Sequence, residues 1–514
     1  MHSSSVIGLF LFVGGCAAIR NLDEYSIVDG VGASANDTVV HTSSIDASAG
    51  CTTHRSCNTE GGTTPAICVK TTGTCVPLTT PECPRVLGDP MNDDAVFVGT
   101  LLGTSAAATS DAERAAFMAA AELATAPAAI PKLVVIGCDV AGDALVPARH
   151  LVDDLHVSAM LGPGRAEDVV AVTQQVSAPG GTLLMTDSPA TSIANLADED
   201  LTWRDVSSDA QRAKLVIEQM NELETLLRAT RALATVKLAI VNADDALGTS
   251  ARDAITGKLI LNGHFVLDAA NAAYVSVDGY GAGDATAAGA IATAYARDFR
   301  PDIVFLTSAD QIASVMLPLE RSLAAARITD HPYYVLTDPA KTGDLLARID
   351  SGDLPSDIRR RIRGVGPVAG AASAPALADF TSAFTARYGA APAVSAGASY
   401  DAMYAVAYAV ATTTDLPAGG PRVGHGLRSL AVGNPAFVGA KAIADISSQL
   451  VQKQSVSLSG TSGPLQWDAS GDLRGGSLEV WCVGARDGAA VYGSSGMTMD
   501  VQTQVVGGAY VQCQ

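Results

Sequence analysis

The chain has 514 residues, 48% of them apolar, and a net charge of −20. That length supports two or more domains with cores of their own. The acidic balance, with no basic patch, argues against nucleic acid as a partner, and no run of about 20 apolar residues follows the N-terminus, so no internal membrane span is expected.

Residues 6–13 form a short apolar core, too short to cross a bilayer, that runs into Val13-Gly14-Gly15-Cys16. This resembles the signal and lipobox of bacterial lipoproteins. The resemblance implies removal of residues 1–16, acylation of Cys16 and stable membrane anchoring through several acyl chains. Residues 1–5 lack the Lys or Arg usual in such signals, so a plain secretory peptide or a later start codon stays open; either way the chain is exported. Ala17, rather than Asp, follows the cysteine. In Gram-negative lipoproteins this implies passage to the outer membrane, so the expected place is the cell envelope, periplasm-facing or outer membrane. Residues 17–50 are rich in Ser, Ala, Asp, Thr and Gly and read as a flexible tether.

Cys51, Cys57, Cys68, Cys75 and Cys83 crowd residues 51–83 among Thr, Gly, Asn and Pro. In an exported chain this density reads as a disulfide-stapled knob, too small for a core of its own, acting as spacer or contact point. With Cys16 lipidated, eight cysteines remain. The expected pairing is two bridges among Cys51, Cys57, Cys68 and Cys75, then Cys83–Cys138 and Cys482–Cys513, although spacing alone does not fix connectivity. Zinc on Cys51, His54 and Cys57 is the alternative, weakened by export and by the lack of a matching Cys/His pair.

From Ala95 strands and helices alternate, the pattern of an α/β fold. Residues 95–102 are a buried strand followed by Gly103-Thr104-Ser105. Ser110 and Glu113 form a capping box opening a helix to residue 124. Strand 133–137 and helix 144–155 come next. Residues 157–161 and 182–185 are apolar runs flanking a helix on which Val169, Val172 and Val176 share a face. Such a right-handed βαβ unit brings the turn after residue 162 and the loop Asp187–Ser192 to one sheet edge. A second βα series follows: helix 208–232, strand 237–242, helix 250–262, strand 264–269, helix 285–299, strand 303–307, helix 311–325 and strand 333–336. The Gly-rich stretch 279–283 reads as a loop. Residues 364–371 are strand-like, 376–388 and 399–413 helical, and 463–475 a β-hairpin before the run 478–482.

Residues 161–196, 203–211, 237–248, 399–409 and, most specifically, Gly463-Pro464-Leu465-Gln466-Trp467-Asp468-Ala469-Ser470-Gly471-Asp472-Leu473-Arg474-Gly475 resemble the type I periplasmic binding proteins. The likeness is to the leucine/isoleucine/valine-binding receptors of branched-chain amino-acid ABC importers, and it covers roughly residues 91–482. It implies an α/β fold of two doubly wound parallel-sheet lobes joined by a three-strand hinge. Lobe 1 would be 91–207 and 343–460, and lobe 2 would be 208–342 and 461–482. Residues 483–514 would be an appended extension. A ligand between the lobes would favour their closure.

The resemblance places the site at Thr104 and Ser105, at Arg165 and Ala166, at Ser188, Ala190 and Thr191, at Asp245 and Leu247, and at Ser308 and Asp338. Ala166 stands where the family has a serine and Leu247 where it has a tyrosine. Asp338 matches the carboxylate that meets an ammonium group, so the scaffold matches and the site is altered. Arg165 reads either as a clamp for a ligand carboxylate or as a solvated arginine at a helix start.

No Gly-x-Ser-x-Gly elbow and no His-Glu-x-x-His pattern occurs, so no enzyme, metal or cofactor is expected. The expected partners are a small-molecule ligand and an ABC permease or envelope protein, with the membrane reached through the lipid anchor. The rival expectation is an envelope interaction or regulatory lipoprotein that binds no solute. A cleft plugged by residues 483–514 or by apolar side chains would favour that rival.

Overall fold

The computed structural model describes residues 50–58, 64–103, 109–393 and 395–514. Cys16, the signal and the tether lie outside them, as do Thr104 and Ser105. Among the described residues no helix is long and apolar enough to cross a membrane.

The knob is a short hairpin, β1 (Ala66–Val69) and β2 (Thr74–Pro77). The first large sheet then takes β3 (Arg85–Leu87), β4 (Val96–Gly103), β5 (Leu133–Asp139), β6 (Ala159–Leu161), β7 (Leu183–Thr186) and β8 (Thr202–Arg204). Its order is β3-β5-β4-β6-β7-β8, parallel except for β3. Between these strands run α1 (Asp111–Ala124), α2 (Leu145–Arg149), α3 (Ala166–Val172) and the short α4 (Ala178–Gly180).

The chain crosses to a second sheet through α5 (Asp209–Arg231), which opens on a full capping box between Ser208 and Gln211. There follow β9 (Leu238–Ala243), α6 (Ala246–Thr256), the two-residue pair β10 (Ile260–Leu261) and β11 (His264–Phe265), and β12 (Val275–Tyr280). The series continues with α7 (Ala285–Ala294), β13 (Ile303–Leu306), α8 (Leu317–Ala325), β14 (Tyr333–Thr337), α9 (Gly343–Asp350) and β15 (Ile362–Val368). The chain returns to the first half with α10 (Ala374–Tyr388), α11 (Ala396–Thr412), α12 (Gly420–Ser429), β16 (Asn434–Phe437), α13 (Ile443–Val451) and β17 (Val456–Ser459). It ends on β18 (Ser477–Arg486), β19 (Ala489–Asp500) and β20 (Val506–Gly507) in the second sheet, whose order is β12-β9-β13-β14-β15-β18-β19-β20.

Each sheet thus carries the parallel order 2-1-3-4-5, in β5-β4-β6-β7-β8 and again in β12-β9-β13-β14-β15. In each, the order reverses beside the first strand, which opens a crevice at the carboxyl ends. The strands are apolar on both faces because helices cover both. α11 is buried along residues 396–410 against α1. Alanines on both helices are what let them approach. Gly426 on α12 serves the same end, since a Cβ there would meet the Ala409 carbonyl at 2.1 Å.

Several sequence expectations are corrected. β15 belongs to the second sheet, paired with β14 and β18, so the return to the first half falls near residue 370 rather than 343. Residues 463–475 stay with the first half: Trp467 stacks edge-on against Trp203 at 5.6 Å, and Arg204 N–H donates to the Gly471 carbonyl at 2.9 Å. They form a loop closed by one Trp467–Leu473 bridge, not a hairpin. The expected strand 264–269 shrinks to two residues, and the real strand is β12, which runs into the Gly-rich stretch read as a loop. Alternating exposed residues along this outermost strand weakened its signal.

The knob is no detached spacer. Ile67, Val69 and Leu78 join one apolar cluster with Phe97, Leu101, Val134 and Leu151. Its bridges are Cys51–Cys68 and Cys57–Cys75; Cys83–Cys138 ties it to β5. With these thiols in disulfides, His54 serves as a buried acceptor for the Cys68 N–H at 3.0 Å.

Residues 483–514 are likewise part of the fold. β19 pairs with β18 along its length, and Met497, Met499 and Val501 enter the core. Cys482–Cys513 closes this segment over a separation of 31 residues. Loop entropy predicts that replacing both cysteines with serine costs about 3–4 kcal/mol in denaturant unfolding. Deleting residues 487–514 should leave the second half unfolded, which is read from the loss of its protected amides in hydrogen exchange.

Candidate functional site

The carboxyl ends of both sheets face one another across the first crossover. From the first sheet, β7 delivers Asp187, Ser188 and the loop Pro189-Ala190-Thr191. β8 delivers Arg204 and Asp205. From the second half come Asp209 and Arg212 on the first turn of α5, Asn242 at the end of β9, Thr307 after β13 and Asp338 after β14. Asp187 lies over the turn after β6, where Gly164 makes room: a Cβ there would meet Asp187 Oδ1 at 2.7 Å.

The two halves are shut on one another here. Asp209 N–H donates to the Pro189 carbonyl at 2.8 Å, in a loop that Arg204 Nη1, from the same half as that loop, steadies by donating to the Ala190 carbonyl at 3.0 Å. Thr191 N–H donates to Ser250 Oγ at 2.8 Å, and the Ala246 N–H at the start of α6 donates to Glu167 Oε1 at 2.6 Å. Ala166 and Ala190 are buried with Ile193, and Ala246 packs against them. A cavity beside Asp209 and Arg212, walled by Ala251, Ile255 and Phe305, has a volume of about 10 Å³, space for one water at most.

What sets this region apart is its unmet polar demand. Asp187 Oδ1, Ser188 Oγ, Asp205 Oδ1, Asp209 Oδ2, Asn242 Oδ1 and Thr307 Oγ1 are buried with no hydrogen-bond partner. Arg204 Nε and Nη2 and Arg212 Nε share that state. Proteins seldom leave such groups unpaired, because each costs about 1–3 kcal/mol. A cluster of them at the crevice of a doubly wound fold marks a place built for another molecule.

No protein-family model and no curated protein sequence matches the chain. Solved structures do. A leucine-binding protein of Thermotoga maritima MSB8 superposes with a TM-score of 0.54 at 14% identity, over 78% of this chain and 97% of that one. A branched-chain amino-acid transporter substrate-binding protein of Streptococcus pneumoniae, in complex with isoleucine, gives 0.51 at 15% identity, over 78% and 99%. An ABC transporter solute-binding protein of R. palustris, in complex with benzoate, gives 0.51 at 14% identity, over 78% and 96%. This chain has the type I periplasmic binding protein fold.

Within that type I fold the expected site residues divide. Ser188, Ala190 and Thr191 lie in the crevice, and Ala166 is buried at its wall. Asp338 is there too, but Arg212 Nη1 pairs with its Oδ1, so it does not stand free for an ammonium. Arg165 is exposed on 70% of its side chain and faces Asp168 at 3.8 Å, the solvated alternative. Asp245 caps α6 by accepting the Gly248 N–H at 2.6 Å, and Leu247 is half-buried on the same turn. Ser308 turns to Asp310 at 2.5 Å. The sequence reading placed Asp187 on the cleft edge without naming it a ligand residue, and it passed over Asp205, Asp209, Arg204 and Arg212. All but Arg212 stand in stretches that carried the family likeness, yet Asp209 reads only as the start of a capped helix.

Burial drives the electrostatics. The Asp209 carboxyl is pushed up to about 6, mainly by desolvation, against the pull of Arg212 and the Ser250 hydroxyl. Asp205 and Asp187 are raised for the same reason. A second buried group lies at the ends of β4 and β5. Arg85 Nε donates to Glu113 Oε1 at 2.9 Å, and Arg85 Nη2 donates to Asp139 Oδ1 at 2.5 Å. The Glu113 side chain is spent on Arg85, so the expected capping box keeps only the bond from Glu113 N–H to Ser110 Oγ at 3.1 Å. Desolvation lifts Glu113 to about 7 even so, and Asp401 on α11 also reaches about 7.

A carboxyl whose pKa is higher folded than unfolded holds its proton more tightly in the native state. Its contribution favours folding below the unfolded pKa and fades as pH rises through the folded one, by about 1.4 kcal/mol for each tenfold difference in proton affinity between the two states. The ligand-free protein should therefore melt at a higher temperature near pH 5 than near pH 7.5. Glu113→Gln should flatten that profile, with thermal unfolding followed by circular dichroism across this range.

Proposed function

We propose that the protein is an extracytoplasmic solute-binding receptor. It captures a small polar molecule between two lobes and presents the closed form to an ABC importer or a sensor. One observation carries this reading: buried polar atoms from both sheets converge, without partners, on the crevice that a type I fold uses for ligands. The related structures bound to isoleucine and benzoate support the same placement. Recognition and closure, not catalysis, are the tasks such a site performs.

In this reading the lobes are residues 91–207 with about 370–475, and 208–368 with 477–514, joined at three crossings. Cys16 anchors the chain through its acyl groups, and residues 17–50 give reach from the membrane. A ligand shifts the open–closed balance only by its preference for the closed state. Because the halves already hold one another through Thr191–Ser250 and Glu167–Ala246, capture begins with their opening.

The rival reading, an envelope interaction lipoprotein that binds no solute, called for a cleft plugged by residues 483–514 or by apolar side chains. Residues 483–514 instead form the outer strands of the second sheet, and the crevice holds the buried polar atoms named above, which favours the receptor.

A thermal-shift screen with amino acids, carboxylates, amines and sugars tests the proposal. One chemical class should raise stability by about 2.7 kcal/mol at a hundredfold excess over its Kd. A folded protein that none of these classes stabilises would overturn the receptor reading.

A further inference from the structure

The charges of the crevice do not balance. Two arginines face it and both are taken: Arg212 by Asp338, and Arg204 by Asp472 at 2.9 Å. Asp187, Asp205 and Asp209 remain, with no ion pair to any of them among the described residues. Asp205 and Asp209 are each only 5% exposed, and each of the three keeps one buried oxygen without a partner. Ser188, 1% exposed, adds an unpartnered hydroxyl, and Thr307 and Asn242 add two more buried acceptor oxygens. Arg204 Nε and Nη2 and Arg212 Nε also lack hydrogen-bond acceptors, but the two charges are matched by Asp472 and Asp338. An anionic ligand would meet three unpaired carboxylates, whereas a cation would relieve them.

A single metal ion does not suit this arrangement. The carboxylates come from β7, β8 and α5, and among the described residues no three carboxylate or histidine ligand atoms approach within 4.8 Å of one another; only bridged cysteines do. Charge that is spread over several elements suits positive centres that are spread along a chain.

Resting on the receptor reading, we propose that the ligand of this crevice is an organic cation of the di- or polyamine class, carrying no carboxylate. Its ammonium groups would donate to Asp187, Asp205 and Asp209 and to the Ser188 and Thr307 hydroxyls. This departs from the isoleucine and benzoate held by the related structures, both of which carry a carboxylate. The groups facing the three acids are Asp338 and Asp205 beside Asp187; Asp187, Asp401 and Arg204 beside Asp205; and Arg212, Asp338, Arg204 and Ser250 beside Asp209. Most of these are acidic, so a bound cation favours ionisation and releases protons, and affinity should rise with pH.

Calorimetry and thermal shift on the full chain with putrescine, spermidine, leucine, benzoate and calcium chloride test this. Putrescine or spermidine should stabilise the protein, with affinity rising about tenfold from roughly pH 5.5 to 7.5. Asp205→Asn or Asp209→Asn should weaken amine binding by about tenfold or more. The surface variant Asp298→Asn should leave it unchanged, which separates a built site from the general attraction of an acidic protein. Stabilisation by leucine or benzoate and not by amines would overturn the proposal while leaving the receptor reading intact. Stabilisation by calcium alone, or amine binding that ignores Asp205 and Asp209, would overturn it as well. Silence across the panel would remove this proposal, and silence across the wider screen would remove the receptor reading with it. Should the asparagine variants fail to fold, the panel on the unaltered chain still decides.

Discussion

Burying a carboxylate without a counter-charge costs several kcal/mol, and a protein normally escapes that cost by pairing the group or by protonating it. Here Asp187, Asp205 and Asp209 are held together where the two sheets meet, while both nearby arginines are engaged elsewhere. The surrounding architecture maintains that condition. β7 and β8 end in one loop cluster, α5 begins just after the crossover, and the Pro189 carbonyl receives the Asp209 N–H. The same turn that carries Asp209 carries Arg212, which fixes Asp338 and so draws the end of β14 into the group.

The halves are kept rigid by different means. The first relies on small residues, with α1 and α11 packed closely through alanine and Tyr400 and Tyr404 both donating to Glu122. The second uses a buried polar knot: Arg361 pairs with Glu320, which also receives Tyr334 and neighbours His331. Each device packs helices firmly onto a sheet behind the crevice.

Two segments that look like additions proved to be structural. The cysteine knob completes one face of the first sheet, and the last thirty or so residues complete the edge of the second. Both are stapled at their junctions, by Cys83–Cys138 and Cys482–Cys513. A short segment that buries little apolar area gains from such links, because they remove freedom from the unfolded chain rather than adding contacts.

Much of the fold was legible in the residues. Alternation of apolar runs with capped helices specifies two doubly wound sheets, because each parallel strand needs a covering helix and a right-handed return. Export, together with an even count of eight cysteines, pointed to four bridges. The position of Ser188, Ala190 and Thr191 at the sheet edge was legible because they follow a strand end closely. Other features were decided by tertiary structure alone. β15 joins the second sheet through pairing partners distant in sequence, β14 and β18, and β18 finds its outer neighbour in a segment that reads as an appendix. Nothing local distinguishes Asp209, the first residue of a well-capped helix, from any solvated acid. Only packing against the loop after β7 removes its water and leaves it unpaired. Periodicity records which face of an element is apolar, whereas charge balance depends on which elements meet, and the meeting of two half-chains is what made this crevice acidic.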